Sequence, residues 1–135
     1  MIDTKTPTMT TVASKAKILI VEDDPALNAA YKIVLSHAGH SVENAFNGLE
    51  ALEKVKLTPP DIILLDLLMP KMNGLEFLRQ FAPPDKQPKV IIVVFSNLDT
   101  QQEIDEAYAL GAHKHLLKAA TSPKDLTELI QEFIG

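Results

Sequence analysis

Five polar residues sit where aliphatic runs end. Glu22 and Asp23 close Lys17–Val21 (KILIV), Asp66 closes Ile62–Leu65 (IILL), Ser96 closes residues 90–95 (VIIVVF), and Lys118 ends 113–118 (HKHLLK). Runs apolar at every position suit strands buried on both faces, as in a parallel sheet covered by helices. The carboxyl ends of such strands share one crevice, where open α/β sheets bind ligands. Three carboxylates crowded there would raise one another's pKa unless a cation shares the site. All-oxygen ligands and an open, hydrated geometry favour Mg²⁺ over zinc. Lys118 would supply a point charge for a phosphoryl oxygen, and the Ser96 hydroxyl could donate to another. Asp66 would then act as a carboxylate nucleophile, with cation and lysine neutralising charge on the moving group. A lone Asp at a strand end is more often a plain turn residue, so the surrounding elements must decide.

Composition narrows the classes. The 135 residues are 46% hydrophobic and 23% charged, with a net charge of −5. One soluble, globular domain with a real core is expected. Lys and Arg form no basic stripe, which argues against nucleic acid as a partner. The absence of cysteine excludes a disulfide framework, a thiolate zinc site and a cysteine nucleophile. No apolar run approaches the roughly 20 residues of a membrane span, and the N-terminus lacks a signal-peptide core, so a cytoplasmic protein with no membrane partner is expected.

In chain order, residues 1–16 are Thr-rich with few large apolar residues and read as a disordered arm before a domain at 17–135. The first strand leads through three acids to Pro25, suited to a helix N-terminus, with Asp24 as its cap. Leu27, Tyr31, Val34, Leu35 and Ala38 follow at helical spacing, and Gly39 is a C-cap. Residues 40–45 alternate weakly, as an edge strand would. Asn47-Gly48 opens a helix bearing Leu49, Leu52, Val55 and Lys56, ended by Pro59-Pro60. The helix Gly74–Phe81 follows the central strand, and a polar, proline-bearing loop spans 82–88. A fourth helix turns Ile104, Ala107 and Tyr108 inward and ends at Gly111. Thr121-Ser122-Pro123 starts a fifth, with Leu126, Leu129, Ile130, Phe133 and Ile134 on one face. Five strands alternating with five helices make an α/β domain with a doubly wound parallel sheet.

The sequence resembles a response-regulator receiver domain, the CheY-like phosphoacceptor of two-component signalling. The likeness runs from about Lys17 to Gly135 on four motifs: VEDDP at 21–25, DLLMPKMNG at 66–74, FSN at 95–97 and LLK at 116–118. It implies a single-domain regulator with the flavodoxin-like strand order 2-1-3-4-5 and helices on both faces. In that order strands 1 and 3 adjoin, about 4.8 Å apart, so Asp23 and Asp66 could converge on one ion. Lys118, two strands from Asp66 and roughly 10 Å away at the backbone, would need its long side chain to reach. The resemblance further implies Asp66 as the phosphorylated residue and Asp23 as a direct Mg²⁺ ligand. Glu22 corresponds to an acid acting through water, and the Leu68 backbone carbonyl to the third protein ligand. Ser96 matches the switch hydroxyl, Lys118 the site lysine, and His115 the aromatic switch position; as a half-buried strand histidine, His115 could equally have no switching role. His113 and His115, on one strand face, lack a third ligand for metal.

Two departures stand out. The family usually has a cis proline after the lysine; here it is Ala119. A non-proline cis bond costs about 2.5–4 kcal/mol, so a trans bond and a reshaped loop are expected. Leu68 and Leu98, each two residues beyond a site residue, offer attacking water no hydrogen bond, which implies a long-lived acyl phosphate. The expected function is Mg²⁺-dependent phosphoryl transfer to Asp66 from a phosphohistidine on a histidine kinase or phosphotransfer protein. Such a protein catalyses only its own phosphorylation and dephosphorylation. No effector domain follows Gly135, so output is expected through the face of helix 4, strand 5 and helix 5 onto a downstream protein, from a monomer or weak dimer. Two rivals are a metal-dependent phosphate hydrolase, which lacks a cap domain and a general acid, and a pseudo-receiver that binds proteins without being phosphorylated.

Overall fold

The computed structural model describes residues 15–81, 90–97 and 100–134. The loop expected at 82–88, Leu98 and residues 1–14 of the arm lie outside them. Strands β1 (Lys17–Val21), β2 (Ser41–Ala45), β3 (Ile62–Leu65), β4 (Ile91–Ser96) and β5 (Lys114–Leu117) alternate with helices α1 (Pro25–His37), α2 (Gly48–Leu57), α3 (Gly74–Phe81), α4 (Gln101–Ala109) and α5 (Pro123–Ile134). The sheet is parallel throughout, in the order β2-β1-β3-β4-β5.

Alternate residues of each central strand feed two cores. Leu19, Val21, Ile63, Leu65, Ile92 and Val94 pack beneath α2, α3 and α4 against Ala51, Val55, Phe77, Leu78 and Ala107. Ile18, Ile20, Ile62, Leu64, Val93 and Phe95 pack beneath α1 and α5 against Leu35, Leu126 and Ile130. This two-sided burial is why the runs read apolar at every position. Ala16, assigned to the arm from sequence, belongs to the second core and pairs with the domain: its N–H donates to His40 Nδ1 at 3.1 Å and its carbonyl accepts from Ser41 N at 3.0 Å.

Local signals start the helices. Asp24 Oδ1 accepts from the N–H groups of Ala26 (2.9 Å) and Leu27 (3.3 Å), capping α1. Asn73 and Glu76 exchange reciprocal side-chain-to-backbone bonds at α3 (2.9 and 3.0 Å), as do Ser122 and Asp125 at α5 (3.0 and 3.1 Å). Four apolar side chains depart from the inward reading: Tyr108 is 44% exposed, and Leu27, Ala38 and Leu49 also face solvent. The helical stripe is only about 100° wide, and these side chains fall at its edge.

The fifth strand is shorter than its sequence suggests. His113 stands before it and joins β4 with its ring: Nδ1 accepts from Ile92 N at 3.0 Å while His113 N donates to Ile92 O at 2.7 Å. Lys118 stands after it, opening a single 3₁₀ turn, Lys118–Ala120.

Candidate metal and phosphoacceptor site

Register sets the site. Val21 pairs with Leu65 and Leu65 with Val94, so Glu22 and Asp66 leave their strands at the same level, with Ser96 just beyond. One carboxylate oxygen each from Glu22, Asp23 and Asp66 lies within 4.8 Å of the others, a spacing that fits a hard cation with oxygen ligands. Glu22 and Asp66 are buried and Asp23 is exposed, which leaves one side open to solvent. Among the described residues this is the only such group, and no histidine joins it.

The Asp66 carboxylate is held at both oxygens. Oδ1 accepts from the Ser96 hydroxyl at 2.8 Å and from Leu68 N at 3.0 Å; Oδ2 accepts from Lys118 Nζ at 2.7 Å. The Lys118 ammonium also pairs with Glu22 Oε1, and the other Glu22 oxygen accepts from Asp24 N at 3.0 Å. The lysine therefore spans two strands, and its ammonium lies between two acids. Burial pushes the Glu22 carboxyl above its usual range although Lys118 opposes the shift. For Lys118, burial would lower the pKa, but the bonds to Asp66 and Glu22 outweigh it and hold the ammonium above its ordinary value.

The loops around Asp66 are built for close approach. A Cβ added at Gly74 would meet the Asp66 carbonyl oxygen at 2.6 Å, so only glycine lets α3 start against the strand end. Lys71 takes φ 64°, a left-handed turn within the same loop. The Leu68 side chain is 55% exposed at the rim. Every described peptide bond is trans, Lys118–Ala119 included, as expected for a non-proline residue. The loop is held instead by Asn97 Oδ1, which accepts from Ala119 N at 3.0 Å, and by Thr121 Oγ1, which donates to Leu117 O at 2.8 Å. His115 pairs with Val94, two residues before Ser96, so it and Ser96 share a sheet face.

Three contributors were not legible as such. Tyr31 lines the floor with Glu22, Asp66 and Phe95, and its ring meets Phe95 edge-on at 5.1 Å. Burial raises its phenol pKa. Asn97 reads as part of a motif, with no hint that it braces the lysine loop. Asn28 is buried beneath the Glu22 turn; its place three residues before Tyr31 and seven before Leu35, in phase with the apolar stripe, is the signal that could have found it.

Known proteins resemble the chain in sequence and in fold. The family model for the response regulator receiver domain matches residues 18–131. The sporulation initiation phosphotransferase F of Bacillus subtilis is 37% identical over 114 residues, covering 84% of this chain and 86% of that protein. The chemotaxis protein CheY of Thermotoga maritima is 35% identical over 103 residues, covering 76% and 84%. Among solved structures, Vibrio cholerae CheY4 superposes with a TM-score of 0.80 at 29% identity, covering 88% of this chain and 98% of that one. A CheY-like receiver domain from Methanospirillum hungatei gives 0.81 at 28% identity, covering 87% and 92%. With sheet order, acid cluster and family match in agreement, the chain belongs to the response-regulator receiver domains of two-component signalling.

Proposed function

We propose that this domain is a phosphoacceptor switch, in which Asp66 takes a phosphoryl group from a phosphohistidine on a histidine kinase or phosphotransfer protein. The observation that carries this reading is the convergence of Ser96, Lys118 and two further acids on one buried carboxylate. An Asp66 oxygen attacks phosphorus, the P–N bond to the donor imidazole breaks, and the imidazole leaves with the bonding pair. A Mg²⁺ ion held by Glu22, Asp23, Asp66 and the Leu68 carbonyl would supply charge neutralisation on the transferring group. Ser96 and Lys118, already within hydrogen-bond distance of Asp66, are placed to hold two phosphoryl oxygens. The raised pKa of Lys118 keeps it protonated for that task. The likeness to the sporulation phosphotransferase over most of its length supports a relay role.

The product carries a charge near −2 at Asp66. Ser96 bound to it and His115 on the same sheet face link the site to the surface of α4, β5 and α5, where a downstream protein would bind. To move that surface from 1:99 to 99:1, phosphorylation must favour one state by about 5.5 kcal/mol. The domain itself catalyses only the gain and loss of its own phosphoryl group. Incubation with Mg²⁺ and an autophosphorylated kinase domain tests the reading: wild type gains one phosphoryl mass and Asp66→Asn gains none. Beryllofluoride with Mg²⁺ should shift amide resonances around Ser96 and His115. A chain that neither takes up phosphoryl nor responds to beryllofluoride would be a binding module only.

A further inference from the structure

Asn28 is a polar side chain with no exposed surface (0%) on the sheet-facing side of α1. Both its amide hydrogens go to backbone: Nδ2 donates to the Glu22 carbonyl at 2.9 Å and the Ala45 carbonyl at 3.1 Å. Glu22 N also donates to Ala45 O at 3.0 Å, so the amide ties α1 to the ends of β1 and β2 together. Its Oδ1 accepts from Asn44 Nδ2, which determines which end of the amide faces the strands. The group is fully satisfied, and a leucine, with the same number of side-chain heavy atoms, would bury more apolar surface but leave the Glu22 carbonyl without this donor. What the amide gains over leucine is control of one peptide plane. That plane joins Glu22, whose side chain pairs with Lys118, to Asp23, the exposed acid of the cluster.

We propose that Asn28 is the positioning residue of the cation site, acting through the Glu22–Asp23 peptide and touching neither ion nor phosphoryl group. Asn44 is its orienting partner. The proposal rests on the cation reading above. Calorimetric titration of the full chain with MgCl₂ tests it, alongside thermal melts in the absence of divalent ions. Loss of a group that orients metal ligands typically costs 10–100-fold in affinity, so Asn28→Leu should weaken Mg²⁺ binding about tenfold. Asn44→Ala should weaken it less, in the same direction. Leu129→Ala, on the half-buried face of α5, should lower the melting temperature and leave Mg²⁺ affinity unchanged. If Asn28→Leu does not fold, Asn44→Ala decides the matter. Wild-type affinity in the folded Asn28→Leu protein, or an equal loss in Leu129→Ala, would overturn the positioning role alone. A wild-type chain that binds no Mg²⁺ would overturn the cation reading and this inference with it.

Discussion

Lys118 reaches across the carboxyl end of the sheet to neutralise Asp66 and Glu22, both nearly out of water. Removing one partner of a buried ion pair typically costs about 3–5 kcal/mol, because the remaining charge stays buried. Lys118→Met should therefore lose about 3 kcal/mol by urea unfolding in chelator, and added Mg²⁺ should restore part of it. The pH dependence has the same sign on the two partners, in different ranges of pH. The folded-state pKa of Lys118 is raised, so its stabilisation is complete below the unfolded value near 10.4 and is lost as pH rises through the folded one. That of Glu22 is also raised, chiefly by burial, so the folded state keeps the proton longer and stability falls as pH climbs out of the ordinary carboxylate range. In Lys118→Met the alkaline loss should vanish, which melts above about pH 10 would register. Leu68 at the rim poses a separate question of lifetime. An apolar side chain orients no water, so Leu68→Asn with Leu98→Glu should speed loss of the acyl phosphate; an unchanged decay rate would refute the shielding argument.

At the scale of elements, Gly74 is where α3 meets the acceptor strand. Gly74→Ala would set a methyl 2.6 Å from the Asp66 carbonyl oxygen, a backbone atom that cannot swing aside. Displacing the strand end should cost roughly 1–3 kcal/mol, as overpacking does, and phosphoryl uptake should fall along with it. Gly48→Ala, pressed mainly on the Met72 side chain and carbonyl, gives a comparison away from Asp66. The start of β1 has its own titrating device. His40 is buried, its Nδ1 accepts from Ala16 N, and Lys15, Lys17 and Asp61 line the adjoining groove. Burial lowers its pKa below the usual 6.5, so the unfolded chain takes the proton first and stability is lost as pH falls through that region. His40→Gln should flatten the drop in melting temperature between about pH 7 and pH 5.5. The strands, the caps at Asp24 and Ser122 and the glycine stops were legible because each rests on local chemistry. Tyr108 was misread because spacing alone cannot separate the edge of an apolar stripe from its centre. Asn28 was missed because its partners, the ends of two different strands, become neighbours only in the folded chain.

For the whole molecule, the sheet order makes one edge the meeting place of groups up to 96 residues apart in sequence. Strands buried on both faces hold that edge rigid, while the acids it gathers repel one another and oppose folding. A cation that binds only the folded arrangement must then stabilise the entire domain by mass action. At one hundred times its dissociation constant the gain is about 2.7 kcal/mol. Urea unfolding in MgCl₂ against chelator should show that increment for wild type. Asp23→Asn removes the one exposed acid of the cluster and should reduce the increment towards zero while leaving chelator stability equal or higher, since a repelling charge is gone. Lys118→Met should show a larger increment than wild type, because the ion then takes over neutralisation that the ammonium supplied. Equal Mg²⁺ responses in all three proteins would mean that the ion binds elsewhere on the surface, and the carboxyl edge of the sheet would lose its claim to be the site.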